Sequence, residues 1–247
     1  TPLGSPAYYA VRFAPERTRE LHALLLAWFD SIQSIAQSPN DPGVARLKLD
    51  WWRNEITQSL GNGESRHPLM TCMCTEGLNA EAVDPMRAII DASEQQIRQP
   101  ELSTTTAFQQ SCRQTGGHLF ILMSQPHRAS SYNSERCMAL GGYWHGVELL
   151  RLFSNNPSVV THDVRDMLRN ANDAGQRQTG FDRLLSYPAT AKKLGREVIP
   201  AVARRLVAVT QALHKRMAKA GYLVNHQTVQ RAPIANLWTA WRAKPSR

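Results

Sequence analysis

The chain has 247 residues, 42% of them hydrophobic, and a formal net charge of +9. That is enough apolar material for one full core, and no window nears the ~18 uninterrupted apolar residues of a membrane-crossing helix. The first residues lack the basic, apolar, small-residue order of a secretory leader, so a single soluble or peripheral domain over residues 1–247 is expected.

Four cysteines, Cys72, Cys74, Cys112 and Cys137, lack paired CxxC spacing and give no disulfide framework, which fits a reducing compartment. The charge is segregated: residues 190–247 hold twelve Lys or Arg and one acid, Glu197. Such an end suits an anionic partner, whether an acidic protein, a membrane surface or RNA; a solvated basic helix face is the plain alternative.

Leu21, Leu24, Leu25, Trp28, Ile32 and Ile35 follow the three-and-four spacing of one helix face, starting after Pro15. Asn40, Asp41 and Pro42 then supply a cap and a first-turn proline for a second helix, whose stripe runs from Val44 through Leu47, Trp51, Trp52 and Ile56 to Leu60. Gly61-Asn62-Gly63 ends it. Asp84-Pro85 opens a third helix with Met86, Ile89, Ile90 and Ile97, and the threonines at 104–106 open one that reaches Met123.

Further helices are expected at 134–153 and 161–170, with loops at 155–158 and 174–180. The longest pattern runs from Leu194 to Met217, with Pro200 placed to kink it and Gly221 to stop it. A short last helix follows Pro233, with Leu237, Trp238 and Trp241 as its apolar residues. No segment alternates as a strand does, so the chain reads as all-α.

HExxH, glycine-rich phosphate loops and GxSxG are all absent. His118 and His145 stand in apolar helices, where core packing competes with a place in a cavity. Gly116-Gly117 allows close helix packing.

Several phrases carry a family likeness. AYYAVRFAPERTRELHALLLAWF (7–29), DPGVARLKLDWWRNEI (41–56), HPLM (67–70), TGGHLFILM (115–123) and AGYLV (220–224) resemble, in order, the squalene/phytoene synthase family, most specifically in WWRNEI. The resemblance implies the isoprenoid synthase fold, a single-domain helical bundle around a central cavity. Active members of that family join two prenyl diphosphates head to head, ionising one with Mg2+ held by two aspartate-rich motifs. Mg2+ needs hard oxygen ligands and neutralises the departing diphosphate.

Aligned on this likeness, the first motif falls on Gln33, Ser34 and Gln37 and the second on Leu152 and Asn156, none of them acidic. Asp30 stands just before the first motif, where active members carry a basic residue. Tyr9, Arg12, Trp28, His118, His145 and Glu148 are the candidates to line the cavity, with bulky Phe29, Phe120 and Trp144 either filling or walling it.

The expectation is therefore a non-catalytic relative that needs no cofactor and binds a prenyl-type lipid or a macromolecular partner. It is similar to the branch containing mitochondrial complex I assembly factors, in a mitochondrial matrix or a bacterial cytoplasm. The competing expectation is an active prenyl diphosphate transferase with Mg2+ ligands moved to positions such as Glu148 and Asp163, near Asp166.

Overall fold

The computed structural model describes residues 3–37, 41–98, 104–125, 133–153, 166, 174–185, 199–222 and 231–243. Among them every regular element is helical. The order is α1 (Pro6–Arg12), α2 (Glu16–Gln37), α3 (Pro42–Thr57), α4 (Pro68–Thr75), α5 (Val83–Arg98), α6 (Thr105–Cys112), α7 (His118–Ser124), α8 (Ser134–Phe153), α9 (Ala174–Leu184), α10 (Ala201–Lys219) and α11 (Pro233–Arg242). Five-residue π turns extend α3 through Gln58–Asn62 and join α6 to α7 through Arg113–Gly117.

Local chemistry sets the helix starts. The Asp41 carboxylate accepts from the backbone N–H groups of Gly43 and Val44 at 2.7 and 3.3 Å, ahead of Pro42. Thr104 Oγ1 accepts from Ala107 N at 3.2 Å. In α5 the start lies one residue before Asp84, because a 3-10 turn over Ala80–Ala82, capped by Asn79, leads directly into it.

The phrase WWRNEI is a piece of scaffold. Arg53 donates from Nε and Nη2 to Asp91 Oδ1 on α5 at 3.0 and 2.7 Å. Buried Glu55 accepts from Ser59 Oγ and Ser65 Oγ at 3.1 and 3.2 Å and from the backbone of Arg66 and His67 at 2.8 Å each. One carboxylate thus fixes the turn between α3 and α4, and although burial opposes its charge, the four hydrogen bonds hold it below the usual carboxylate range.

Two glycine pairs let α8 cross the α6–α7 helix with backbones in contact. A Cβ on Gly141 would meet the carbonyl of Gly116, and one on Gly117 would stand 2.8 Å from Met138 Cα. This confirms the close packing expected at Gly116-Gly117.

The main core gathers residues of α2, α3, α4, α5, α7, α8 and α10, including Leu25, Ile56, Met86, Leu119 and Val202. A second cluster joins Phe108, Val147, Phe181 and Met217. There Phe181 stacks on Tyr222 at 4.4 Å, and Tyr222 Oη donates to Asp182 at 3.2 Å.

Four expectations change. On α3, Val44, Leu47 and Trp51 of the expected apolar stripe are exposed, because the helix turns Ala45, Leu49, Trp52 and Ile56 to the core. The expected loop at 174–180 is helical, as part of α9, and Pro200 occupies the N-cap position of α10 rather than kinking it. On α11, Trp238 and Trp241 face outward instead of supplying the packed side. The helix expected at 161–170 lies outside the described residues except for Asp166, which is helical. Leu194 and Val198 also lie outside them.

Candidate functional site

Helices α2 and α8 have two sides. Toward α7 their interior is filled with rings: Phe29 and Phe120 approach Trp144 at 5.6 and 5.7 Å, and His145 meets Phe29 edge-on at 5.6 Å. Trp28 is fully buried against Trp52, with ring centroids 6.5 Å apart. Burial pushes the His145 imidazole down to about 4, so it is neutral at pH 7. His118 Nδ1 lies 2.7 Å from the Gln114 carbonyl of its own helix.

On the other side a cavity of about 620 Å³ opens between α2, α8, α10, α11 and the segment before α1. Helical spacing selects its walls. Leu26 and Asp30 come from successive turns of α2, and Trp144, Glu148 and Arg151 from successive turns of α8. The apolar wall is Leu206, Val209 and Leu213 of α10 with Pro233 of α11.

The charged groups are arranged in a chain. Arg151 Nε donates to Glu148 Oε2 at 2.7 Å. The negative field of Glu148, and then that of Asp30, holds the Arg151 guanidinium above its ordinary range against the effect of burial. Asp30 is accessible from the cavity, yet the surrounding protein strips enough water from it to raise its carboxyl, and Glu148 adds to the rise. Arg231 also lines the cavity, donating to Asn236 Oδ1 at 3.1 Å and Thr239 Oγ1 at 3.2 Å. Burial and the neighbouring Arg216 lower its guanidinium.

Two carboxylates and two guanidinium groups therefore leave these four cavity charges balanced. Thr210, on the same wall, is buried, and its hydroxyl has no partner among the described residues.

The sequence-selected positions divide sharply. Gln33 is buried, and its amide donates to Ser93 Oγ on α5 at 3.1 Å, turned away from the cavity. Ser34 is exposed and donates to the Ser31 carbonyl at 2.8 Å. Gln37 is half-buried at the end of α2, and Leu152 packs against the second apolar cluster. Asn156 and Asp163 lie outside the described residues, and half-buried Asp166 is not a lining residue.

Of the six cavity candidates, Glu148 lines the cavity and five stand elsewhere. Trp28 and His145 pack among the rings of the filled side, and half-buried His118 bonds along its own helix. Tyr9 meets Tyr8 at 5.2 Å on α1, and exposed Arg12 borders a separate depression with Tyr8 and Arg19. Asp30, set aside in the sequence because it precedes the motif, is instead brought to Glu148. Its four-residue spacing from Leu26 was the available signal; Thr210 and Arg231 carried none.

Mg2+ asks for several hard oxygens directed at one point. Among the described residues no group of three or more His, Cys, Asp or Glu is placed to hold a metal ion. The side chains at 33 and 34 are bonded into the scaffold, and Glu148 is engaged by Arg151.

The all-helical bundle, with its cavity between long helices, has the isoprenoid synthase fold of the solved structure it superposes on. The family model for squalene/phytoene synthase matches residues 4–176, and the chain belongs to that family. A crystal structure of a dehydrosqualene synthase in complex with ligand superposes with a TM-score of 0.67 at 10% identity, over 96% of this chain and 89% of that one. No curated protein sequence matches the chain.

Proposed function

We propose that this squalene/phytoene synthase family member is non-catalytic and works by binding a prenyl-type lipid with an uncharged head in the cavity beside Asp30 and Glu148. One observation carries the reading: Arg151 pairs with Glu148 inside the cavity, while Gln33 of the first metal motif bonds to α5 and Ser34 to its own helix. A diphosphate would meet two carboxylates beside two guanidinium groups and no net positive charge, whereas an uncharged hydroxyl or carbonyl head needs none. Leu206, Val209 and Leu213 suit the hydrocarbon.

Its role is then that of a ligand-bound scaffold, as in an assembly factor for a respiratory or organellar complex. Support for that extension is the segregated charge of residues 190–247. The alternative of a transferase with relocated ligands draws on Asp30 and Glu148 sharing one cavity, and it requires Arg151 to release Glu148.

Binding of a fluorescent prenyl alcohol tests the reading. Val209→Phe, which fills the cavity wall, is expected to weaken binding by about tenfold or more with the fold intact. Binding unchanged by this substitution, or a strong preference for the diphosphate over the alcohol, would count against it.

A further inference from the structure

Surface helices normally turn their apolar side to the core. α11 does the reverse. Asn236 and Ala240 are its buried residues, whereas Ile234, Trp238 and Trp241 are 73%, 57% and 43% exposed. At 100° per residue those three fall within an arc of about 60°, on the side opposite Asn236 and Ala240. The two indoles stack at 5.2 Å, and the Arg242 guanidinium lies over Trp238 at 5.6 Å.

The sequence on either side of this ridge is cationic. Exposed Lys215, Arg216 and Lys219 end α10. The field of Arg216 reaches Arg231 just before the start of α11, and Arg242 stands at its other end. From Ile199 to Ala243 the sequence contains seven Lys or Arg and no Asp or Glu.

We infer that the outward face of α11 docks this protein on the surface of a bilayer carrying anionic headgroups. Indoles and an isoleucine at the headgroup boundary bury apolar area, and flanking Lys and Arg gain from the negative surface potential. Nucleic acid fits less well: stacked bases need free aromatic faces, and here the indoles stack on each other while Arg242 covers Trp238. Among the described residues no helix is long and apolar enough to cross a membrane, so the contact is peripheral. The same helix contributes Pro233 and Asn236 to the cavity wall, which sets the docking face beside the binding site.

Flotation of the full chain with vesicles tests the inference. The protein is expected to float with phosphatidylcholine vesicles containing phosphatidylglycerol, and less with phosphatidylcholine alone. The Trp238→Ala/Trp241→Ala double variant should lose about tenfold or more in partitioning while keeping its melting temperature, because the rings are exposed. Charge reversal by Lys215→Glu/Arg216→Glu/Lys219→Glu should weaken partitioning and flatten its salt dependence. Absence of binding to anionic vesicles would overturn the inference, as would binding insensitive to the tryptophan pair. So would a tryptophan-pair defect confined to oligouridylate RNA binding.

Discussion

The two sides of the α2–α8 pair treat polar groups in opposite ways. Toward α5 and α7, rings take the space, and the polar Gln33 is sewn to Ser93. Toward α10 and α11, the same helices present Asp30, Glu148 and Arg151 to about 620 Å³ of open space. The packed side holds neutral polar groups, bonding Gln33 through its amide N–H while its Oε1 and the Trp28 indole N–H have no partner among the described residues; the open side keeps the charged ones. The proposed binding follows the open side, and Gln33 belongs to the packed one.

Substitutions break this contrast with graded force. Gly141→Val should be the most damaging, because its side chain would occupy the carbonyl of Gly116 where α8 crosses the α6–α7 helix. A cost of about 4 kcal/mol or more is expected, seen as a large drop in Tm or loss of cooperative unfolding. Phe120→Ala empties the filled side alone and should cost about 3–4 kcal/mol in chemical denaturation, leaving lipid binding measurable.

Restoring the motif acid sharpens the contrast most. Gln33→Asp places a carboxylate in the buried site beside Ser93, so it should destabilise by about 2 kcal/mol and confer no Mg2+ dependence on stability. A stabilising effect of Mg2+ on that variant, read by thermal shift, would show that position 33 still addresses a metal site.

The smallest effect is expected at Asp30. Its carboxyl is raised in the folded protein by burial and by Glu148, so the folded state binds the proton more tightly than the unfolded one. Its ionisation therefore opposes folding above the folded pKa, and this penalty disappears as pH falls below the unfolded value. Asp30→Asn should raise Tm slightly at pH 7, with the gain shrinking on acidification in parallel melts.

Helix starts were legible because their signals are local: Asp41 before Pro42, and Thr104 before its helix. Long-range support was not. α9 has a loop-like composition of Gly, Gln and Thr, and it is anchored through Phe181 stacked on Tyr222. The two tryptophans of α11 read as core because bulk alone does not say which way a short helix turns. Within the site, Glu148 could be selected from its helix, whereas Asp30, Thr210 and Arg231 become neighbours only when α2, α10 and the approach to α11 close on α8.

Pyrophosphate release from farnesyl diphosphate, measured with and without Mg2+, tests the central claim most directly. The arrangement at Gln33, Ser34, Glu148 and Arg151 predicts release no faster than in buffer under either condition. Release that requires Mg2+ and is lost in Asp30→Asn would contradict it and identify an enzyme with relocated ligands.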